Sequence, residues 1–129
     1  NLIFHLNTKK ITMTNTVQIY HNPRCSKSRQ TLAILEGNGV TPEIILYLEE
    51  SPDAKTINSL LTKLGISARD LLRKGEDTYK ELNLKDSSLD DAFLIEKMTE
   101  FPKLIERPIV VKGNKAVLGR PPENALKLI

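Results

Sequence analysis

Strand-type and helix-type periodicities alternate along this chain, and their order restricts the folds open to it. From Thr16, Val17 and Ile19 alternate with Gln18 and Tyr20 in the two-residue period of a strand, and His21-Asn22-Pro23 stops the run. Ser26 to Glu36 then reads as a helix with Leu32, Ile34 and Leu35 on one face, closed by Gly37 and Gly39. After Thr41-Pro42 comes a second strand-like run, Ile44-Ile45-Leu46, backed by Tyr47 and Leu48. Strand, helix and strand within about 30 residues make a βαβ unit, whose strands run parallel and whose crossover is right-handed.

The middle of the chain is helical. Ser51-Pro52-Asp53 starts one helix, with Ile57, Leu60, Leu61 and Leu64 at helical spacing up to Gly65. Ser67-Ala68-Arg69-Asp70 opens a short helix carrying Leu71 and Leu72, and Ser87-Ser88 signals a third, through Leu89, Ala92, Phe93, Ile95 and Met98 to Glu100, before Pro102 breaks it. The tail returns to strands: Pro108-Ile109-Val110-Val111, a turn at Gly113-Asn114, and Ala116-Val117-Leu118 as the other arm of a hairpin. Pro121-Pro122-Glu123 begins a final helix with Leu126 and Ile129. The order β-α-β, helices, β-β-α predicts an α/β, thioredoxin-like (glutaredoxin-like) fold: a mixed four-stranded sheet with a helical insertion between its halves.

Composition removes several functions. The length of 129 residues suits one domain. Lys and Arg number 19 against 16 Asp and Glu, a net charge of +3 that suits small anions but is too dispersed to argue for nucleic acid. Cys25 stands alone, so no internal disulfide forms, and one Cys with His5 and His21 cannot close a four-ligand zinc site; no metal is expected. No apolar run approaches the roughly 20 residues that span a bilayer, so no membrane role is expected and the reducing cytoplasm is the default location. Without heptads the expected state is a monomer. Residues 1–12 precede Met13 and read as a non-native leader, leaving 13–129 as the domain.

The chemistry concentrates at His21-Asn22-Pro23-Arg24-Cys25-Ser26-Lys27-Ser28-Arg29, between the first strand and the first helix. A reactive cysteine must be a thiolate, and a helix start favours one through its free N–H groups and positive dipole end. Arg24, Lys27 and Arg29 add cations, and Ser26 and Ser28 add hydroxyl donors. The alternative, Cys25 as a buried small hydrophobe, fits poorly with a Pro-started turn between Arg24 and Ser26. The same helix start binds oxyanions, so the loop points to thiolate attack on a tetrahedral anion such as phosphate or arsenate, with further cations supplied from elsewhere. His21 is either a base or hydrogen-bond partner tuning the thiolate, or a strand-end residue that packs or caps. Tyr47 and Tyr79 read as half-buried packing residues.

Three segments, in order, carry a family resemblance: Ile19-Tyr20-His21-Asn22-Pro23-x-Cys25-x-x-Ser28-Arg29, then Leu71-Leu72-Arg73-Lys74, then Arg107-Pro108-Ile109-Val110-Val111 with Gly119-Arg120-Pro121. Together they resemble the arsenate reductases of the ArsC family, in the glutaredoxin-linked branch. Ser26-Lys27 stands where arsenic-resistance members carry Gly-Thr, and the chain looks more like the chromosomal subgroup. The resemblance implies a catalytic Cys25, an oxyanion-binding triad of Arg73, Arg107 and Arg120, and a cis-proline at Pro108 facing the nucleophile, with His21, Ser28 and Arg29 in support. It further implies reduction of arsenate to arsenite through a sulfur-bound adduct. No cofactor is held; glutathione is the co-substrate and glutaredoxin the partner. Two other readings stay open: a glutathione-linked thiol-transferase using Cys25, and a non-enzymatic Spx-like transcription regulator of the same family. Such regulators usually carry Cys-x-x-Cys, whereas here the second position is Ser28. A low-molecular-weight phosphatase needs an arginine where Thr31 stands.

Overall fold

The computed structural model describes residues 16–129; the expected leader and Met13 lie outside the described residues. Four short strands form one sheet: β1 (Val17–Tyr20), β2 (Glu43–Ile45), β3 (Ile109–Lys112) and β4 (Lys115–Leu118), in the order β2-β1-β3-β4. β1 pairs parallel with β2, Ile19 opposite Ile44, and antiparallel with β3, Ile19 opposite Val110. Helix α1 (Ser26–Gly37) makes the crossover between β1 and β2. β3 and β4 form a hairpin in which Lys112 faces Lys115, leaving a two-residue turn whose first position, Gly113, has φ +62°; that left-handed backbone suits glycine.

The two-residue period of the strands divides the core into two layers. Val17 and Ile19 of β1 and Val110 of β3 point to one face, where Leu35 of α1 and Ala125 of the C-terminal segment cover them. Tyr20, Ile109, Val111 and Ala116 point to the other face, into the larger cluster built by the helical insertion. That insertion comprises α2 (Ala54–Leu64), α3 (Ala68–Leu71), α4 (Asp77–Glu81) and α5 (Asp91–Glu100), followed by a 3-10 turn at Pro102–Leu104. Ile57, Leu60 and Leu61 of α2 and Leu94, Ile95 and Met98 of α5 supply much of this layer. The result is the thioredoxin-like fold, with the mixed four-stranded sheet between α1 on one side and the insertion on the other.

The helix ends follow local chemistry. Asp53 Oδ1 accepts from the Thr56 N–H at 2.8 Å to start α2, and Gly65, at φ +70°, closes it. The Ser67 hydroxyl accepts from the Asp70 N–H at 3.2 Å to start α3. The start expected at Ser87-Ser88 moves to Asp90, whose carboxylate accepts from the Phe93 N–H at 2.9 Å, because Ser88 is already engaged: its N–H and hydroxyl both bond Asp86 Oδ1, at 2.9 and 2.7 Å. The final helix is a 3-10 segment, Pro122–Lys127, rather than the expected α-helix. Its buried residues are Pro122 and Ala125, while Leu126 and Ile129 are exposed.

One contact of the insertion positions the site. Leu72 and Ile105 form an isolated antiparallel bridge, flanked by bonds from the Arg73 N–H to the Leu104 carbonyl (2.7 Å) and from the Glu106 N–H to the Leu71 carbonyl (2.8 Å). The chain around Arg73 is thereby laid beside the approach to β3. The Arg107-Pro108 peptide at that approach is cis, as expected, and so is Arg120-Pro121 after β4.

Gly119 is buried against this approach, donating its N–H to the Pro108 carbonyl at 2.9 Å. A Cβ there would strike the Thr31 side chain and meet Pro108 Cγ at 2.7 Å. Gly119→Ala is therefore expected to destabilise the protein by about 1–3 kcal/mol, the usual range for overpacking, read from the midpoint of urea unfolding.

Candidate active site

β1 ends at Tyr20, and the chain turns through His21-Asn22-Pro23-Arg24 before α1 begins. Local hydrogen bonds define this turn. Asn22 Oδ1 accepts from the Arg24 N–H at 3.0 Å, and the Asn22 carbonyl accepts from the Cys25 N–H at 3.0 Å. The Ser28 hydroxyl, buried one turn into α1, accepts from the Asn22 N–H at 3.0 Å and pairs with His21 Nδ1 at 2.6 Å. The His21 N–H in turn bonds the Ile45 carbonyl of β2 at 2.9 Å. Loop, helix start and sheet edge are thus locked together, with Cys25 at the N-cap.

His21 is buried and its pKa is lowered, chiefly by burial and then by the Arg29 charge, against a smaller opposing pull from Glu36. It is a neutral imidazole at pH 7 whose described side-chain bond goes to Ser28. His21 thus sits buried at the strand end and holds the loop through Ser28.

No side-chain hydrogen bond caps α1 at Cys25, so the first-turn N–H groups are left to the sulfur. Burial is the largest single influence on the thiol and raises its pKa. The backbone N–H of Ser28, the charge of Arg107, the backbone N–H of Lys27 and a hydrogen-bonding pull from the Arg107 side chain together outweigh it, holding the thiol below its ordinary value. The expected electropositive setting is present, but its charge has a different source. Arg24, Lys27 and Arg29 are exposed and their side chains do not figure among the influences on Cys25. Arg29 turns back to donate from Nη1 to the Pro23 carbonyl at 2.9 Å. Of the two seryl hydroxyls, Ser26 is exposed and Ser28 is committed to His21 and Asn22. A helix start converges its N–H groups on its axis while its side chains splay outward.

Arg107, on the approach to β3, is the cation whose charge lowers the thiol; its side chain is 14% exposed. Arg73 lies close by, because both guanidinium groups share Glu106: Arg107 Nη1 at 3.3 Å and Arg73 Nε at 3.9 Å from Oε1. Arg73 Nη1 also pairs with Glu76 at 3.1 Å. Arg120 stands after β4, next to the Gly119 that bonds Pro108. Its side chain is exposed and makes no hydrogen bond or ion pair among the described residues. Pro108 is buried between Arg107 and β3.

Two neighbours of this group were not singled out by sequence reasoning. Glu106, which sets the spacing of the two arginines, carries no motif signal beyond its place before Arg107. Tyr47, expected to be a half-buried packing residue, is only 1% exposed. Burial pushes its phenol up to about 12, while the charges of Arg107 and Arg73 oppose that rise and those of Cys25 and Glu106 add to it. Tyr79, also expected half-buried, is buried. No group of three or more His, Cys, Asp and Glu suited to a metal gathers among the described residues, and none of their helices is long and apolar enough to cross a membrane.

The chain is similar to several known proteins. An uncharacterized protein of Escherichia coli K12, YfgD, is 59% identical over 118 residues, covering 91% of this chain and 99% of its own. A protein of Haemophilus influenzae named arsenate reductase is 47% identical over 115 residues, covering 88% of this chain and 99% of its own. The solved structure of arsenate reductase from Vibrio cholerae superposes with a TM-score of 0.87 at 52% identity, covering 89% of this chain and 98% of that one. Residues 20–128, nearly the whole described region and including Cys25, Arg73, Arg107 and Arg120, match the ArsC family. The chain belongs to the ArsC family.

Proposed function

We propose that this protein is an arsenate reductase in which Cys25 is the nucleophile and Arg73, Arg107 and Arg120 bind the oxyanion. The observation that carries the reading is the Cys25 thiol, lowered by the first-turn N–H groups of α1 and by Arg107. Two relatives bearing the name arsenate reductase, at 47% and 52% identity, support arsenate as the substrate.

In this reading the Cys25 thiolate attacks arsenic in dihydrogen arsenate. The S–As bond forms, an As–O bond breaks, and the leaving oxygen takes both arsenate protons away as water. The N–H groups that stabilise the thiolate then face the adduct oxygens, which carry the charge the sulfur has given up. Guanidinium groups suit this task because they stay charged and pair in a bidentate way with tetrahedral oxyanions. Arg73 and Arg107 are partly neutralised by Glu106 and the thiolate; Arg120, unpaired among the described residues, contributes charge for the incoming anion.

Conversion of As(V) to As(III) requires two electrons. The chain has one cysteine and cannot form a disulfide of its own, so two external thiols must supply them. We assign these to glutathione, which attacks the adduct, and to a glutaredoxin cysteine. The two sulfurs leave joined as a mixed disulfide, arsenite departs, and Cys25 is regenerated. Neither a bound cofactor nor a metal takes part, and the protein works as a monomer in the cytoplasm.

The test is NADPH oxidation coupled through glutathione reductase, with arsenate, glutathione and glutaredoxin. Activity is expected from the unaltered protein and none from Cys25→Ser; a flat trace from the unaltered protein would overturn the reading in favour of another Cys25 chemistry, such as transfer from a glutathionylated peptide. Arg107→Ala is expected to lower kcat/KM about a hundredfold, as does loss of one oxyanion donor elsewhere. The sign of its second effect follows from the charge: without the guanidinium the thiolate is less stabilised, the thiol pKa rises, and alkylation by iodoacetamide reaches its plateau only at higher pH. Arg73→Ala and Arg120→Ala are expected to raise KM for arsenate roughly tenfold, the loss of about 1.4 kcal/mol, with unfolding midpoints close to that of the unaltered protein.

A further inference from the structure

Among the described residues, three buried side-chain polar atoms have no hydrogen-bond partner: Tyr47 Oη, Arg107 Nε and Thr99 Oγ1. Thr99 belongs to α5, in the insertion. The other two lie at the site. A phenol as buried as Tyr47 normally finds a partner for its hydroxyl, and an orphaned one is a cost that phenylalanine would avoid. Packing alone therefore explains the ring but not the oxygen.

The placement of Tyr47 follows from the backbone. Its N–H bonds the Ile45 carbonyl at 3.1 Å, and the same carbonyl accepts the His21 N–H at 2.9 Å. One carbonyl at the end of β2 thus anchors both the Tyr47 turn and the loop leading to Cys25. The charges of Arg107, Arg73 and Cys25 all act on the phenol. The orphaned hydroxyl and the orphaned Arg107 Nε are both donors, on side chains coupled electrostatically to each other and to the sulfur.

We propose that the Tyr47 hydroxyl donates a hydrogen bond to the tetrahedral oxyanion held at Cys25, alongside Arg107 Nε. The proposal rests on the oxyanion-site reading above and adds a binding residue to it. A phenol held protonated through the physiological range is a neutral donor: it adds a hydrogen bond to the anion without adding to the positive charge shared with Glu106.

The experiment follows protection of Cys25 from iodoacetamide by arsenate, and separately by inorganic phosphate, at pH 7 without reductants. In Tyr47→Phe the arsenate concentration giving half protection is expected to rise about tenfold, the size of one hydrogen bond to a charged group. Its unfolding midpoint without oxyanion should stay the same or rise, and its alkylation pH profile should match that of the unaltered protein. Half protection within twofold of the unaltered protein overturns the role of Tyr47 and leaves the oxyanion site standing. Absence of protection in the unaltered protein by either anion overturns both. A second measurement does not depend on the variant folding. With 3-fluorotyrosine at Tyr20, Tyr47 and Tyr79, and resonances assigned through Tyr20→Phe and Tyr79→Phe, arsenate is expected to shift the fluorine signal of Tyr47; an unmoved Tyr47 signal under saturating arsenate overturns the proposal.

Discussion

The pairing of a helix-start sulfur with a guanidinium from the far end of the chain organises this molecule. Cys25 lies on the β1–α1 loop and Arg107 on the approach to β3, 82 positions later in a chain of 129 residues. Each is poorly placed alone: a half-buried thiol resists ionisation, and a guanidinium 14% exposed needs counter-charge. Together, and with the N–H groups of Ser28 and Lys27, they stabilise a negative sulfur. The fold can be understood as the means of bringing them to one place. β1 and β3 are neighbours in the sheet, so the loop leaving β1 and the segment entering β3 share an edge, because the strands run antiparallel.

The helical insertion has a part in this beyond forming a core layer. Its bridge between Leu72 and Ile105 lays Arg73 beside Glu106, and Glu106 then holds Arg73 and Arg107 as a pair. A carboxylate between two guanidinium groups limits their mutual repulsion and fixes their spacing. It also removes one unit of the positive charge that an anion would meet. The exposed Arg120 offsets that loss in the proposed chemistry, and the unpartnered Tyr47 hydroxyl offers a donor without a charge.

Much of this was legible in the residues themselves. Strand and helix periods placed β1, α1, β2 and the β3–β4 hairpin, because buried faces impose those periods directly. Asp53 and Ser67 were legible as helix starts, since an N-cap is a local hydrogen bond. The start at Asp90 was not, because Ser88 competes for the same signal and is drawn to Asp86. Helix α4, five residues long, is too short to show a period. The C-terminal segment winds as 3-10, which buries Pro122 and Ala125 and leaves Leu126 exposed.

The site divides in the same way. That Cys25 sits at an electropositive helix start follows from local sequence, but which cation reaches it does not. Arg24, Lys27 and Arg29 are near in sequence and splayed in space, while Arg107 is the reverse, and periodicity carries no information about that. The most direct test of the account is the thiolate absorbance of the protein followed across pH, a signal that belongs to Cys25 alone because the chain has no other cysteine. Ionisation with a midpoint below that of an ordinary thiol, moving upward in Arg107→Ala, is the result the account predicts. A midpoint at or above the ordinary value, indifferent to Arg107, would contradict it.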